Sequence, residues 1–310
     1  MTISVYVCPK CGRPHSVAEF RDSRFCRNCG KFLSASDKQT LNGVLRKKGR
    51  RLRANRNEEP LEKTYRLIQR NLSNDTQIDS LEVVRKVEEY RQFWKPEETN
   101  VILLAESHVF TDEKDFQMKC DRSIVHRLTP NYPTRFVRFV YCLGYGENEL
   151  LTRRRTDRRN AGTPQYWKIF SSCVAEDENN LGFHKILKTR TRSFIRRLHN
   201  KTQVLQKMRK KGVWLLDAGI VGLYGSGTKD PATLETAIEI SWQHFIADVI
   251  LEASPKHIIV IGKGIGNILS SEIRRLGFTS TVIPQPQARG SSEWQLENYR
   301  KYQRICARYS

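Results

Sequence analysis

Val101-Ile102-Leu103-Leu104-Ala105, followed at once by Glu106-Ser107-His108, is the stretch on which the fold turns. An unbroken apolar run without polar alternation suits a strand buried on both faces of a parallel sheet. Three similar runs follow: Val213-Trp214-Leu215-Leu216-Asp217, His257-Ile258-Ile259-Val260-Ile261-Gly262 and Thr281-Val282-Ile283. Helical patterning lies between them, over about 183–210, 232–252 and 265–276. Two more helices precede the first run. Leu61, Tyr65 and Leu67-Ile68 recur at helical spacing from Pro60, as do Leu81, Val84, Val87 and Tyr90 before Pro96 stops the second helix. The alternation predicts an α/β fold, a three-layer α/β/α sandwich around a central four-stranded parallel sheet.

Outward from this region the chain divides into three parts: 1–35, 36–59 and 60–310. The 310 residues are long enough to bury a core without disulfide staples. A hydrophobic fraction of 38% and a charged fraction of 28% fit a globular protein and argue against wholesale disorder. No apolar stretch approaches the length of a membrane span, and MTISVYVCPKCG lacks a basic region followed by an apolar run, so no membrane anchor or secretory signal is expected. Fifty-four Lys and Arg against 33 Asp and Glu leave a net charge of +21, which favours a polyanionic partner, nucleic acid first.

The first part carries Cys8-Pro9-Lys10-Cys11 and Cys26-Arg27-Asn28-Cys29, with 14 residues between the pairs. Two such turns can bring four thiolates around one tetrahedral zinc, and Gly12 and Gly30 let each turn close tightly. The spacing predicts a zinc ribbon with structural Zn(2+), since four protein thiolates leave no open position for substrate. The spacing suits zinc better than a [4Fe–4S] cluster. Two disulfides are the other alternative. Cys120, Cys142, Cys173 and Cys306 are scattered and read as small buried hydrophobes, which argues for a reducing, cytoplasmic setting, nucleoid-associated in a prokaryotic cell. Between Arg46 and Arg56 basic residues recur with no acidic residue, reading as a linker or a phosphate-binding arm.

In parallel α/β sheets, ligands bind beyond the carboxyl ends of the strands. There the sequence sets Glu106-Ser107-His108, Asp217, Gly262-Lys263-Gly264 and Gln285-Pro286-Gln287-Ala288-Arg289-Gly290. The glycine run lacks the third glycine of a dinucleotide fingerprint, having Asn267 there, and reads as a tight strand-to-helix turn.

In order and spacing, residues 96–310 resemble the uracil-DNA glycosylase superfamily. Leu104-Ala105-Glu106-Ser107-His108 is similar to its first motif, Trp214-Leu215-Leu216-Asp217 to its L-L-N strand, and Gln285-Pro286-Gln287 to its H-P-S motif. Ser241-Trp242-Gln243-His244-Phe245, Val260-Ile261-Gly262 and Asn160-Ala161-Gly162-Thr163-Pro164-Gln165-Tyr166-Trp167 also look like family segments. The resemblance implies base flipping and hydrolysis of an N-glycosidic bond, with Glu106, Ser107 and Gln285 as catalytic positions and Asp217 and His108 binding the base. The chain departs from the family at Ala105, at His108 in place of proline, at Asp217 in place of asparagine and at Gln285 in place of histidine. An ionised Asp217 accepts hydrogen bonds and repels the O4 carbonyl of uracil, so a base bearing an amine or an N–H is expected.

Plainer readings stand beside these. Glu106 can cap a following helix, Asp217 can close its own turn, and His108 can be a local hydrogen-bonding histidine. Arg153-Arg154-Arg155, the helix with Arg192 and Arg196, and Arg289 are candidate nucleic-acid contacts or ordinary exposed arginines. Phe110, Phe116 and Tyr132 can each stack on a base or belong to the core. Three functions fit: a DNA glycosylase-like enzyme, a catalytically inactive nucleic-acid-binding protein of the same fold, and a hydrolase of RNA or a small nucleoside.

Overall fold

The computed structural model describes residues 59–153 and 160–310, together with the strands β1 (Ser4–Val7), β2 (Pro14–Ser16) and β3 (Lys38–Thr40). The chain separates into two units, Met1–Glu59 and Pro60–Ser310. In the first unit, β1 pairs antiparallel with β2 on one side and β3 on the other. β3 falls where a linker is expected from 36 onward. Its residues Lys-Gln-Thr carry no apolar pattern, and backbone pairing alone defines the strand. Cys8, Cys11, Cys26 and Cys29 lie outside the described residues, as do the basic arm and Arg154, Arg155, Arg158 and Arg159.

The second unit is mixed α/β, with a four-stranded parallel sheet flanked by helices. Two short strands sit outside that sheet: β4 (Gln77–Ile78) pairs antiparallel with β7 (Leu223–Tyr224). The main sheet joins β5 (Val101–Ala105), β6 (Val213–Asp217), β8 (His257–Ile261) and β9 (Ser280–Ile283) in the order β6-β5-β8-β9, all parallel. Every residue of β5, β6 and β8 is buried, which is what their unbroken apolar runs require.

Among the described residues, ten α-helices complete this unit. They are α1 (Pro60–Asn71), α2 (Leu81–Phe93), α3 (Glu113–Phe116), α4 (Arg122–Leu128), α5 (Pro164–Val174), α6 (Phe194–Lys210), α7 (Pro231–Ser241), α8 (Ala247–Ala253), α9 (Lys263–Arg275) and α10 (Ser292–Tyr309). α5 packs against α6 and α10, α1 against α7, and α9 against β8 and β9. Gly262 makes the strand-to-helix turn at φ 110°, a conformation costly for any residue with a side chain.

The helix expected over 183–210 is shorter. One short turn covers Phe183–Lys185, and α6 begins only at Phe194. The Ser193 hydroxyl accepts from the Arg196 amide and sets the helix start, so Lys188, Arg190 and Arg192 lie in the loop ahead of it. Cys120, Cys142, Cys173 and Cys306 are free and buried, as their scattered positions imply. Among the described residues no helix is long and apolar enough to cross a membrane.

Candidate functional site

The strand order makes β5 and β8 the switch point of the sheet. The chain leaves β5 toward β6 on one side and leaves β8 toward β9 on the other, which opens a crevice beyond their carboxyl ends. Parallel contacts continue past the strands, with the Ala218 amide donating to the Ala105 carbonyl at 2.7 Å and Gly219 to Glu106 at 2.8 Å. A cleft of about 1000 Å3 lies there. Its walls include Glu106, Ser107, His108, Phe110, Thr163, Gln165, Tyr166, Tyr224, Gln285 and Gln287.

Glu106 is half-buried in this cleft. Its Oε2 accepts from Gln285 Nε2 at 3.1 Å, although the two residues are far apart in sequence. Gln287 Nε2 donates in turn to Gln285 Oε1 at 3.4 Å, which turns the Gln285 amide so that its NH2 group meets the carboxylate. Gly262 lies beneath this pair, where an added Cβ would stand 2.8 Å from Gln285 Cγ. Burial raises the Glu106 pKa above the ordinary carboxylate value, the Gln285 hydrogen bond opposes this, and the charge of Asp217 adds to it. The residues that follow Glu106 are not helical, and its recorded hydrogen bond runs to Gln285, so it does not cap a helix.

Asp217 occupies a different environment. It is buried, does not line the cleft, and its Oδ2 accepts from Arg91 Nη2 at 3.0 Å. His108 Nδ1 stands 3.5 Å from the same oxygen. The structure therefore engages Asp217 in an internal ion pair rather than in a turn or at a base edge. Arg91 comes from α2, where it also pairs with Glu88 one turn back. It is 2% exposed, and its charge is held against burial by those two carboxylates.

His108 is the centre of a buried cluster. Its Nε2 stands 2.9 Å from Asp79 Oδ2. Burial works against a charged imidazole, and the carboxylates of Asp79 and Asp217 overcome it, pushing the His108 pKa up to about 9. Asp79 accepts from the Thr111 amide at 2.6 Å and from the Gly222 amide, so it ties the loop after β5 to the loop after β6. His108 thus behaves as a buried ion-pairing and hydrogen-bonding residue in the cleft wall.

Aromatic residues complete the cleft. Phe110 stacks on Tyr224 with ring centres 5.3 Å apart, and Tyr224 is 60% exposed. Tyr166, at the start of α5, has a pKa raised by burial and by the charges of Asp217 and Glu106, which keeps its phenol a donor. Tyr132 is core, donating to the Tyr141 carbonyl at 2.6 Å, and Phe116 lies under the Arg135 guanidinium. Of the three aromatics considered for base stacking, Phe110 is the one in the cleft wall.

The basic candidates are dispersed. Arg153, Arg192, Arg196 and Arg289 are exposed. The loop carrying Arg289 folds onto α10, where Gly290 approaches the Trp294 ring too closely for any larger residue. On α6, Arg197 and Lys201 are buried on Glu147.

Sequence reasoning missed Arg91, Asp79 and Tyr224, because each acquires its role from a partner more than 25 residues away or from another strand. Tyr166 and Gln165 lie inside the Asn160–Trp167 segment, where no local pattern marks either as a site residue. Among the described residues no group of His, Cys, Asp and Glu could hold a metal ion. No protein-family model matches the chain, and no curated protein matches it.

Proposed function

We propose that the second unit is a glycosylase-like nucleic-acid enzyme of uracil-DNA glycosylase-like fold, with its helices layered on both faces of the sheet. The observation that carries this reading is the Glu106–Gln285 pair, set in a large cleft at the switch point of a parallel sheet. The net charge of +21 and the Phe110–Tyr224 stack at the cleft wall support a nucleic-acid substrate, DNA first.

In this mechanism a base leaves the stack and enters the cleft. Glu106 takes a proton from a water molecule whose oxygen bonds to C1′ of the sugar. The C1′–N bond breaks, and its electron pair leaves with the base. Gln285 positions Glu106 with one amide N–H and offers the second to a carbonyl of the departing base. A neutral amide stabilises that developing charge less than a charged histidine would. Ser107 and Gln165 supply further hydrogen-bonding groups for the base edge. Asp217 holds the cleft floor together through Arg91 and does not read the base. The four early cysteines are proposed to bind one structural zinc, and metal analysis of the purified chain tests that.

The test is a panel of labelled single- and double-stranded DNA, and single-stranded RNA, each carrying one uracil, hypoxanthine, xanthine or normal base. Alkali then converts abasic sites in DNA to breaks, and base release is followed directly for RNA. Excision from one DNA substrate, reduced at least 100-fold in Glu106→Gln, is the expected result. Absence of excision from every substrate would sink the enzyme reading. Tight, salt-sensitive binding would then leave an inactive binding protein. The neutral Gln285 and the sequestered Asp217 favour that second reading.

A further inference from the structure

A second cavity of about 310 Å3 lies on the other side of the α5 start. Thr163 lines both cavities, so they share a wall. Lys168, Lys188 and Lys201 line the second one. Lys201 is 5% exposed, with its ammonium 2.7 Å from Glu147 Oε1 and 4.9 Å from the centre of the Trp167 ring. Glu147 is already matched by Arg197, whose Nη2 and Nε donate to its two carboxylate oxygens at 2.7 and 3.2 Å. One buried carboxylate therefore faces two buried cations, with Lys188 and Lys168 in addition. Lys188 is exposed and Glu149 Oε1 stands 3.9 Å from Arg197 Nη2, so four cations face two carboxylates and positive charge remains in excess.

Two further features point to an anion. The Thr163 hydroxyl is buried without a hydrogen-bond partner at the shared wall. The first turn of α5 begins there with Pro164, and the positive end of the helix dipole favours negative charge. Burial, followed by the neighbouring Lys188 and Arg197, works against the charge of Lys201 and holds its pKa down despite Glu147, a cost that an entering anion offsets. Outside the cavity, Arg190, Arg192 and Arg196 are exposed in the adjoining loop and the first turn of α6.

We propose that this second cavity receives a phosphodiester group of the nucleic-acid strand whose base enters the main cleft. The proposal rests on the nucleic-acid reading of the cleft but not on excision. Lys188 and Lys168 meet the phosphate oxygens, Thr163 donates its hydroxyl, and the wall at Thr163 sets the spacing between phosphate and base. A free phosphate presents the same chemistry, so the test separates the two sources.

The measurement uses the full chain and a fluorescent single-stranded oligonucleotide of normal bases, with affinity followed by anisotropy across salt concentration. Lys188→Gln and Lys168→Gln are each expected to weaken binding several-fold and to reduce the salt slope by about 0.7, the value for one lost phosphate contact on a single strand. Lys256→Gln, at the opposite end of β8, is expected to change neither. Calorimetric titration of inorganic phosphate into the same proteins is the second arm. An unchanged slope in both cavity variants overturns the proposal. If inorganic phosphate binding is then lost in Lys188→Gln, the occupant is a free phosphate instead. Excision plays no part in this readout, so a failure of the excision mechanism and a failure of this proposal are told apart.

Discussion

Glu106 and Asp217 stand at the ends of neighbouring strands, and Ala105 is the register partner of Asp217 across the sheet. In sequence they look alike, each a carboxylate closing an apolar run. Glu106 opens into the large cleft and meets a neutral amide at 3.1 Å. Asp217 turns into the protein and meets a guanidinium at 3.0 Å and an imidazole at 3.5 Å. A carboxylate raised in pKa and bonded to an uncharged donor can exchange a proton with substrate or water. One locked between a buried guanidinium and a buried imidazole holds elements together. The partner, more than the position, separates chemistry from scaffolding here.

The contrast breaks most visibly at Arg91. Arg91→Met leaves Asp217 with His108 alone and is expected to cost about 3 kcal/mol of stability, because an uncompensated buried charge is expensive. Chemical denaturation of this variant beside Glu106→Gln checks it. The Glu106 variant is expected to unfold within about 0.5 kcal/mol of the parent, as substitutions away from buried pairs commonly do. Equal losses in both would mean that Glu106 is structural too.

The His108 cluster sharpens the same comparison through pH. A histidine whose folded pKa is raised to about 9 contributes stability that is complete below its unfolded value, near 6.5, and is lost as pH rises through about 9. The loss is on the order of 3 kcal/mol across that window. Urea midpoints at pH 6, 7.5 and 9 should fall in the parent and fall much less in His108→Gln. Parallel curves would show that His108 carries no extra proton when folded.

The smallest effect is expected at Gln285. Its amide opposes the upward shift of the Glu106 pKa, so Gln285→Ala should raise that pKa further. Ionised Glu106 is the active form in the proposed mechanism. The acid limb of the pH–rate profile should therefore move to higher pH, by up to about one unit. A downward or absent movement would separate Gln285 from Glu106 in function.

Much of the scaffold was legible before the structure. The four apolar runs became the four strands within a residue or two, since a strand buried on both faces has no alternative to continuous hydrophobicity. Pro60 and Pro96 bracketed the first two helices for equally local reasons. The start of α6 was misplaced by about ten residues. Basic residues read as helix face there, and the cap at Ser193 becomes visible only with its amide partner in place. β3 escaped notice because Lys38-Gln39-Thr40 has no pattern of its own.

The candidate site was legible in part. Glu106 and Gln285 were picked out by where they follow strands, and the topology brings them into contact. Asp217 was picked out on the same grounds, and the topology takes it away. Nothing near it in sequence names Arg91, 126 residues earlier in the chain. The linear chain settles what depends on neighbours within a few residues: strand and helix segments, the excess of positive charge, and which side chains leave the sheet at its carboxyl edge. The pairing of those side chains depends on chain crossings that bring distant residues to 3.0 and 3.1 Å. Only the folded structure could decide that one strand-end carboxylate faces a cleft and its neighbour faces an arginine, because burial and partner are properties of the packed state.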